Sequence, residues 1–258
     1  MISAFLALTV MAVADDSSNN RPTVRLMSFN IHHGEGIDGQ LDIGRIARLI
    51  VDNKIDIACL QEVDRNLPRT QKRDFPKELS ILTGMQSVFS NNYAFQGGEY
   101  GNAILTRFSV KSWTNMHYRV IRPGEQRGLL SVILTIEGKS LKVMNTHLDH
   151  RSDDVERLAS ADEILNQLNP TDKMPVIVCG DFNDTPESKM YEKMAARFED
   201  SWKKTGNGPG YTIPNPKVNK RIDYIWYLRS IPVIPVKSEV LTSLASDHLP
   251  VITEFQIP

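Results

Sequence analysis

The chain has 258 residues, 41% hydrophobic and 24% charged, an ordinary globular composition with enough apolar residues for a substantial core. Its 30 Lys and Arg against 31 Asp and Glu leave a net charge of −1, which gives no support to a protein held on nucleic acid by bulk electrostatics. A local basic cleft is still compatible with that total. With two cysteines the chain is no disulfide scaffold, and neither has the partner spacing of a zinc site.

Residues 2–14 form an apolar run that ends in the A-x-A pattern Ala12–Ala14, followed by Asp15, Asp16 and Ser/Asn-rich sequence. This resembles the h-region and cleavage site of a signal peptide, although no Lys or Arg precedes it. The run is too short for a membrane span. A buried first strand is the alternative. On the signal reading residues 1–14 are a cleaved leader, 15–22 a linker, and the mature protein is secreted or periplasmic.

Thr23 to Ile31 reads as a strand, with Val24 and Leu26 alternating against Arg25 and Met27. Asp42 then caps a helix carrying Ile43, Ile46, Ala47 and Ile50 at helical spacing. Ile55 to Leu60 is a second buried strand, ending at Gln61-Glu62. Asp74 to Thr83 is a short helix, with Pro76 in its first turn and Gly84 just past its end. Short β segments follow at Ser87–Ser90, Ala103–Thr106, Leu129–Ile136 and Leu141–Thr146, the last two joined by a turn at Glu137-Gly138-Lys139. The next helix runs from about Asp153 to Leu168, with Val155, Leu158, Ala159, Leu165 and Leu168 inward and Asp153 and Glu156 at capping-box spacing. Pro175–Cys179 is a buried strand, Pro186–Ala196 a helix, and Thr205–Asn219 a loop. Ile222–Leu228 and Pro250–Phe255 are the last strands. The whole reads as one α/β domain over residues 23–258, with helices outside β layers. Cys59 and Cys179 sit inside apolar runs and read as buried free thiols.

Six short polar motifs fall at the ends of these runs: SFN (Ser28 to Asn30), LQE (Leu60 to Glu62), NTHL (Asn145 to Leu148), GDFND (Gly180 to Asp184), RID (Arg221 to Asp223) and SDH (Ser246 to His248). A sheet fold that gathers them at one rim assembles the carboxylates, amides and imidazoles that a hard divalent cation and a phosphate ester need. Each has a plainer reading. Glu62 at a buried strand end is paired or metal-bound, and Arg65 is its nearest counter-charge in sequence. Asn30 suits a turn, and Asp181 with Asn183 suits an Asx-turn. His147 alone is a satisfied strand-end residue. Asp247-His248 is the sharpest pair, with Asp223 as the partner that orients His248 and raises its pKa. His32, His33, His117 and His150 read as solvated loop residues. Arg65, Arg69, Lys72 and Arg73 form one basic loop and Arg119, Arg122 and Arg127 a second; Arg127 is favoured for phosphate.

Together the motifs resemble the endonuclease/exonuclease/phosphatase superfamily, in the family's order, over about Thr23 to Phe255. The resemblance implies a four-layered α/β sandwich: two packed mixed β-sheets flanked by helices. It implies Glu62 as the principal Mg²⁺ ligand, with Asn30 beside it and Asp247 near the metal. Asp181 and Asn183 would orient the nucleophilic water and the phosphate, and His248 would pair with Asp223. His147 matches the deoxyribonuclease-, sphingomyelinase- and phosphatase-like members rather than abasic-site enzymes, which typically carry Tyr there. The context LQEVDR, GNAILTR and EQRGLL looks like the bacterial metal-dependent hydrolase branch.

The function expected is an exported Mg²⁺-dependent phosphodiesterase or phosphatase acting on small-molecule or lipid phosphoesters, working as a monomer, with Mn²⁺ or Ca²⁺ as other oxygen-ligated cations. In-line attack by water activated by His248 or Asp181 would be assisted by His147, Asn183 and Arg127 at the non-bridging oxygens. A secreted nuclease cleaving nucleic-acid phosphodiesters is the alternative, and a catalytically silent binding module on the same fold is a third. No GxSxG, HExxH or P-loop is present for the usual rivals.

Overall fold

A computed structural model describes residues 21–169, 173–231 and 233–258. The leader expected at 1–14, and the linker except its last two residues, lie outside the described residues. Among those described, twelve strands make two six-stranded mixed sheets. The first runs in the order β11 (Ile234–Val240), β12 (Val251–Gln256), β1 (Thr23–Asn30), β2 (Ile57–Arg65), β4 (Gly98–Thr106) and β3 (Gln86–Phe95). The second runs β5 (Ser109–His117), β6 (Gly128–Ile136), β7 (Lys139–His147), β8 (Val176–Asp181), β10 (Asp223–Leu228) and β9 (Phe198–Asp200). Parallel pairing occurs between β1 and β2 and between β7 and β8.

Three apolar layers hold the sandwich together. Val24, Leu26, Ile57, Cys59, Leu130, Val132, Ile177 and Ile225 fill the space between the sheets. The opposite face of the first sheet, through Met27, Phe29, Ala58 and Leu60, packs on α1 (Ile43–Asp52) and α2 (Phe75–Thr83). The outer face of the second sheet packs Val178, Tyr224 and Trp226 against α3 (Val155–Asn166) and α4 (Lys189–Ala195). Central strands buried on both faces lose the polar alternation of a half-exposed strand, which explains their continuous apolar runs. The expected α/β sandwich is the architecture found.

The helix starts follow their local signals. Asp42 accepts from Gly44 N, Asp74 from Lys77 N and Ser188 from Tyr191 N, and Gly84 ends α2 at φ 68°. In α3 the expectation holds in part: Leu158, Leu165 and Leu168 pack against the core, but they are not the helix's most buried positions. Its buried residues are Glu156, Arg157, Ser160, Ala161 and Ile164, while Val155 is exposed and Leu158 and Leu165 are half-buried. Polar pairing rotates the helix: Arg157 Nε donates to Asp184 Oδ2 at 2.9 Å, and Glu156 accepts from the backbone of Ile121 and Arg122. The capping box is therefore absent, because the Glu156 carboxylate is turned toward that neighbouring loop.

β5, β9 and β11 were not expected, and β3 and β4 extend well past the segments read from sequence. β5 and β11 are outer strands, β5 largely exposed and β11 only partly buried, with Val110 and Val240 their contacts to the inter-sheet layer. With so little buried face they carry no clear hydrophobic alternation, and Lys111, Pro235 and Lys237 blunt their edges. The inward positions of β3 beyond Val88 are polar, Ser90 and Asn92, which hides its length. The short helix α5 (Ser201–Thr205) was also missed. No helix among the described residues is long and apolar enough to cross a membrane. Cys59 and Cys179 are free and buried in the inter-sheet layer, as expected.

The Asn of NTHL is a bolt between the sheets. Asn145 Nδ2 on β7 donates to Leu60 O and Ala103 O, both at 2.9 Å, and its Oδ1 accepts from Gln61 Nε2 at 2.7 Å. All of this is fully buried, so truncation would strand several polar groups away from water. Asn145→Ala is expected to cost on the order of 2–4 kcal/mol. Thermal unfolding should show a midpoint lowered by roughly 5–10 °C; an unchanged midpoint would remove the bolt from the account.

Candidate active site

Strand register builds one half of the site. His147 on β7 lies opposite Asp181 at the end of β8, and Asp181 lies opposite Asp223 at the start of β10. Gly180 permits this spacing: a Cβ there would fall 1.9 Å from Thr146 O, and its φ is 150°. Only glycine lets β8 come so close to the strand that carries His147. Three titratable side chains therefore stand in a row across neighbouring strands.

The first sheet supplies the other half. Asn30 ends β1, and Glu62 sits within β2 at a bulge where the register with β4 shifts between Leu60 and Val63. Glu62 is thus inside a strand rather than at its end, with φ 58°, left-handed backbone that a non-glycine residue rarely adopts. The bulge turns the carboxylate out of the core. Arg65 does not hold it, being paired with Glu99 instead. Asn30 Nδ2 donates to Glu62 Oε1 and to Asp181 Oδ2, each at 3.0 Å, and so joins the two sheets at the site. Its Oδ1 accepts from His32 N at 3.0 Å, which fixes the amide orientation because a backbone N–H needs an oxygen.

The loop before β12 brings in the third element. Ser246 Oγ donates to Asn30 O at 2.7 Å and accepts from His248 N at 3.1 Å, tying SDH to the end of β1. His248 Nδ1 stands 2.9 Å from Asp223 Oδ2, and its Nε2 is 3.6 Å from Asp181 Oδ2. Thr212 Oγ1 donates to the same Asp223 oxygen at 2.6 Å. Thr212 went unnoticed in the sequence because it lies in an irregular loop with no motif around it. Asp181 Oδ1 accepts from Asn183 N at 2.9 Å, so the Asx-turn is present, and Asn183 Nδ2 donates to Leu148 O.

Burial and charge set the protonation of this cluster. Asp181, Asp223, His147 and His248 are all at most 4% exposed. Burial first, and then the neighbouring Asp223 charge, push Asp181 up to about 7, with His248, Asn30 and the Asn183 N–H opposing. For His248 burial works against the cation, but Asp223 and then Asp181 outweigh it and raise the imidazole to about 10. His147 is held well below its ordinary value by burial and then by Arg127. Arg127 Nη1 donates to His147 Nδ1 at 2.9 Å, so neutral His147 carries its proton on Nε2, which lies 3.4 Å from Asp181 Oδ2. At neutral pH the cluster holds one cationic and one neutral imidazole around a half-ionised carboxyl.

Glu62, Asp247 and Arg127 line a cavity of about 350 Å³. Its other walls include His32, His33, Arg69, Tyr100 and His150. Three histidines read as solvated loop residues therefore face the cavity, and only His117 lies elsewhere, against Asn91 O. They were missed because the walls come from separate loops. Of the other arginines of the two basic loops, Arg65 pairs with Glu99, Arg73 with Glu78 and Arg122 with Asp153.

Two sets of residues have the chemistry to hold a cation. Asp181, Asp223 and His248 bring three ligand atoms within 4.8 Å of one another. That set is buried, and its imidazole is committed to Asp223. Glu62 and Asp247 are half-buried, border the open cavity and offer hard oxygens. Carboxylate oxygens reachable by substrate suit Mg²⁺, Mn²⁺ or Ca²⁺. Glu62 and Asp247 are the better fit.

Residues 27–248 match the model of the Endonuclease/Exonuclease/phosphatase family. Over 249 residues the chain is 26% identical to the protein YbhP of Escherichia coli K12, covering 90% of this chain and 96% of that one. Its fold resembles that of an endonuclease/exonuclease/phosphatase from Beutenbergia cavernae at a TM-score of 0.79, with 22% identity, covering 92% of this chain and 72% of that one. It also resembles the mannosyl-6-phosphatase Bt3783 of Bacteroides thetaiotaomicron at a TM-score of 0.75, with 20% identity, covering 90% and 99% of the two chains.

Proposed function

The chain belongs to the endonuclease/exonuclease/phosphatase family, hydrolases of phosphoesters, and from that premise we propose an exported Mg²⁺-dependent phosphodiesterase or phosphatase acting on small-molecule or lipid phosphoesters. The observation that carries this reading is the single linked cluster of Asp181, His147, His248 and Asp223, joined through Asn30 to a carboxylate that borders the cavity. Export rests on the leader-like residues 1–14, and residues 23–258 form the one catalytic domain, active as a monomer. A mannosyl-6-phosphatase among the structures of similar fold is in keeping with a small phosphoester.

Glu62 and Asp247 would hold the cation, with Asn30 beside them: its Nδ2 orients Glu62, and its Oδ1, which accepts from His32 N, keeps a second lone pair. The bound cation supplies Lewis-acid stabilisation of charge on the departing oxygen. Asp181 accepts the proton of the attacking water: it titrates near neutrality, whereas His248 already carries its proton. Asp223 and Thr212 keep the His248 cation in place, and its Nε2–H faces the developing negative charge. His147 Nε2–H, Asn183 and Arg127 neutralise the remaining non-bridging oxygens. Arg127 also fixes the His147 tautomer, so its two roles are coupled.

A panel of plasmid DNA, sphingomyelin, inositol phosphates, hexose phosphates and a bis-aryl phosphate, assayed with and without Mg²⁺, tests the substrate class. Turnover confined to the small or lipid esters is the expected outcome. Cleavage of DNA alone, weakened strongly by added salt, would replace it with the secreted nuclease reading.

A further inference from the structure

We propose that Arg69 forms a second anion-binding point in the catalytic cavity, so that the preferred phosphoester carries an additional phosphate or carboxylate beyond the scissile group. This rests on the hydrolase reading of the same cavity and narrows its substrate class. Arg69 lines the cavity that Glu62, Asp247 and Arg127 also line. It is held from three sides. Nε and Nη2 each donate at 2.7 Å to the two oxygens of Asp64, whose side chain has no solvent exposure. The guanidinium carbon lies 5.6 Å from the Phe95 ring and 5.4 Å from that of Tyr100.

What this clamp leaves over is Nη1, which makes no hydrogen bond among the described residues. An arginine fixed by a fork and two rings pays little ordering entropy when a further anion arrives. Nearby, His33 Nδ1 is buried without a hydrogen-bond partner among the described residues. Burial, and then the charge of Arg69, hold the His33 imidazole below its ordinary pKa, which marks the guanidinium as a close neighbour. His32 and His33 both have left-handed backbone, φ 44° and 42°, and this strain keeps their rings on the cavity wall. The plain role for Arg69, neutralising buried Asp64, accounts for two of its nitrogens and leaves the third without one.

A planar ring stacked on this wall fits less well. Phe95 is already stacked with Tyr93 at 5.2 Å and takes the Arg69 contact, and Tyr100 is only 8% exposed. Free N–H donors, rather than a free aromatic face, are what the wall offers. Among the described residues Arg69 has its hydrogen bonds to Asp64 and none to Asp181, His147 or His248, so the polar cluster that would act on the scissile group is wired independently of it.

The test compares Mg²⁺-dependent phosphate release from glycerol phosphate, phosphoglycerate and fructose bisphosphate. Wild-type protein should favour an ester with a second anion by about 10-fold or more in kcat/KM, the worth of one charge-assisted hydrogen bond. A preference for phosphoglycerate assigns a carboxylate, and one for fructose bisphosphate a phosphate. Arg69→Met should bring the ratio close to one through KM, and Arg69→Lys should restore part of it. Equal use of all three esters by the wild type would overturn the inference while leaving the hydrolase reading standing. So would an unchanged ratio in Arg69→Met, or equal losses on every ester with lowered thermal stability. The wild-type comparison needs no variant to fold. No Mg²⁺-dependent release from any phosphoester would remove the hydrolase reading itself, and the inference with it.

Discussion

Asp181→Asn is expected to lower kcat by about 10³-fold, the mid-range contribution of a positioned general base. The substitution preserves shape and leaves an oxygen for the Asn183 N–H, but it removes a carboxylate that both His147 and His248 face. The pH profile distinguishes a base from a mere spacer. Asp181 has its pKa raised to about 7, so the competent ionised form is lost as pH falls through that value. The wild-type kcat/KM should therefore drop about tenfold for each unit below that point. In the asparagine variant this acid limb should vanish along with the activity. An acid limb near 7 that persists in Asp181→Asn would reassign the proton acceptor, with His248 the first candidate. The stability sign runs the other way. A carboxyl whose folded pKa lies above its unfolded one favours the fold at low pH, and that contribution fades as pH rises through about 7. Catalysis and stability thus pull in opposite directions at this residue, a frequent property of buried functional carboxyls.

Glu62→Ala is expected to abolish the dependence on divalent cation and to cost about 10²–10³-fold in turnover, equivalent to the several kcal/mol of charge stabilisation that the cation supplies. Calorimetric titration with Mg²⁺ or Mn²⁺ gives the direct readout, since the variant should show cation affinity weakened beyond detection while remaining folded. Folding should survive because Glu62 is half-buried and, among the described residues, its side chain accepts a hydrogen bond from Asn30 Nδ2 alone. The left-handed backbone at φ 58° suits alanine little better than glutamate, so backbone strain changes little. Chelation of the wild type by EDTA should reproduce the activity loss, and added Mg²⁺ should reverse it. A variant that kept full Mg²⁺-dependent turnover would end the assignment of Glu62, and the buried set of Asp181, Asp223 and His248 would become the cation site.

The residue types of the site were legible, and its wiring was only partly so. Asp223 beside His248 and Asp181 near both histidines correspond to motifs read from the chain. Glu62 was read at a strand end and lies in a bulge within β2, since a bulge changes hydrogen-bond count without changing composition. Asn145 has no role of its own in the sequence reading beyond opening the NTHL motif; it proves to be the inter-sheet bolt. Thr212, His32, His33 and His150 carried no signal, because loops that converge in space share no periodicity in sequence.

By itself the sequence determined the buried central strands, the capped helices, an α/β domain with helices outside β layers and the inventory of carboxylates and imidazoles. These depend on burial pattern and local hydrogen bonding, both written within a few residues of one another. Tertiary structure alone decided the edge strands, the rotation of α3, the outward turn of Glu62 and the placing of Arg69, among the residues of the first basic loop, on the cavity wall. Each of those outcomes depends on partners far away in the chain: Asn30 reaches Asp181 across 151 positions and Gln61 reaches Asn145 across 84. Packing geometry selects such partners, and no local pattern encodes it.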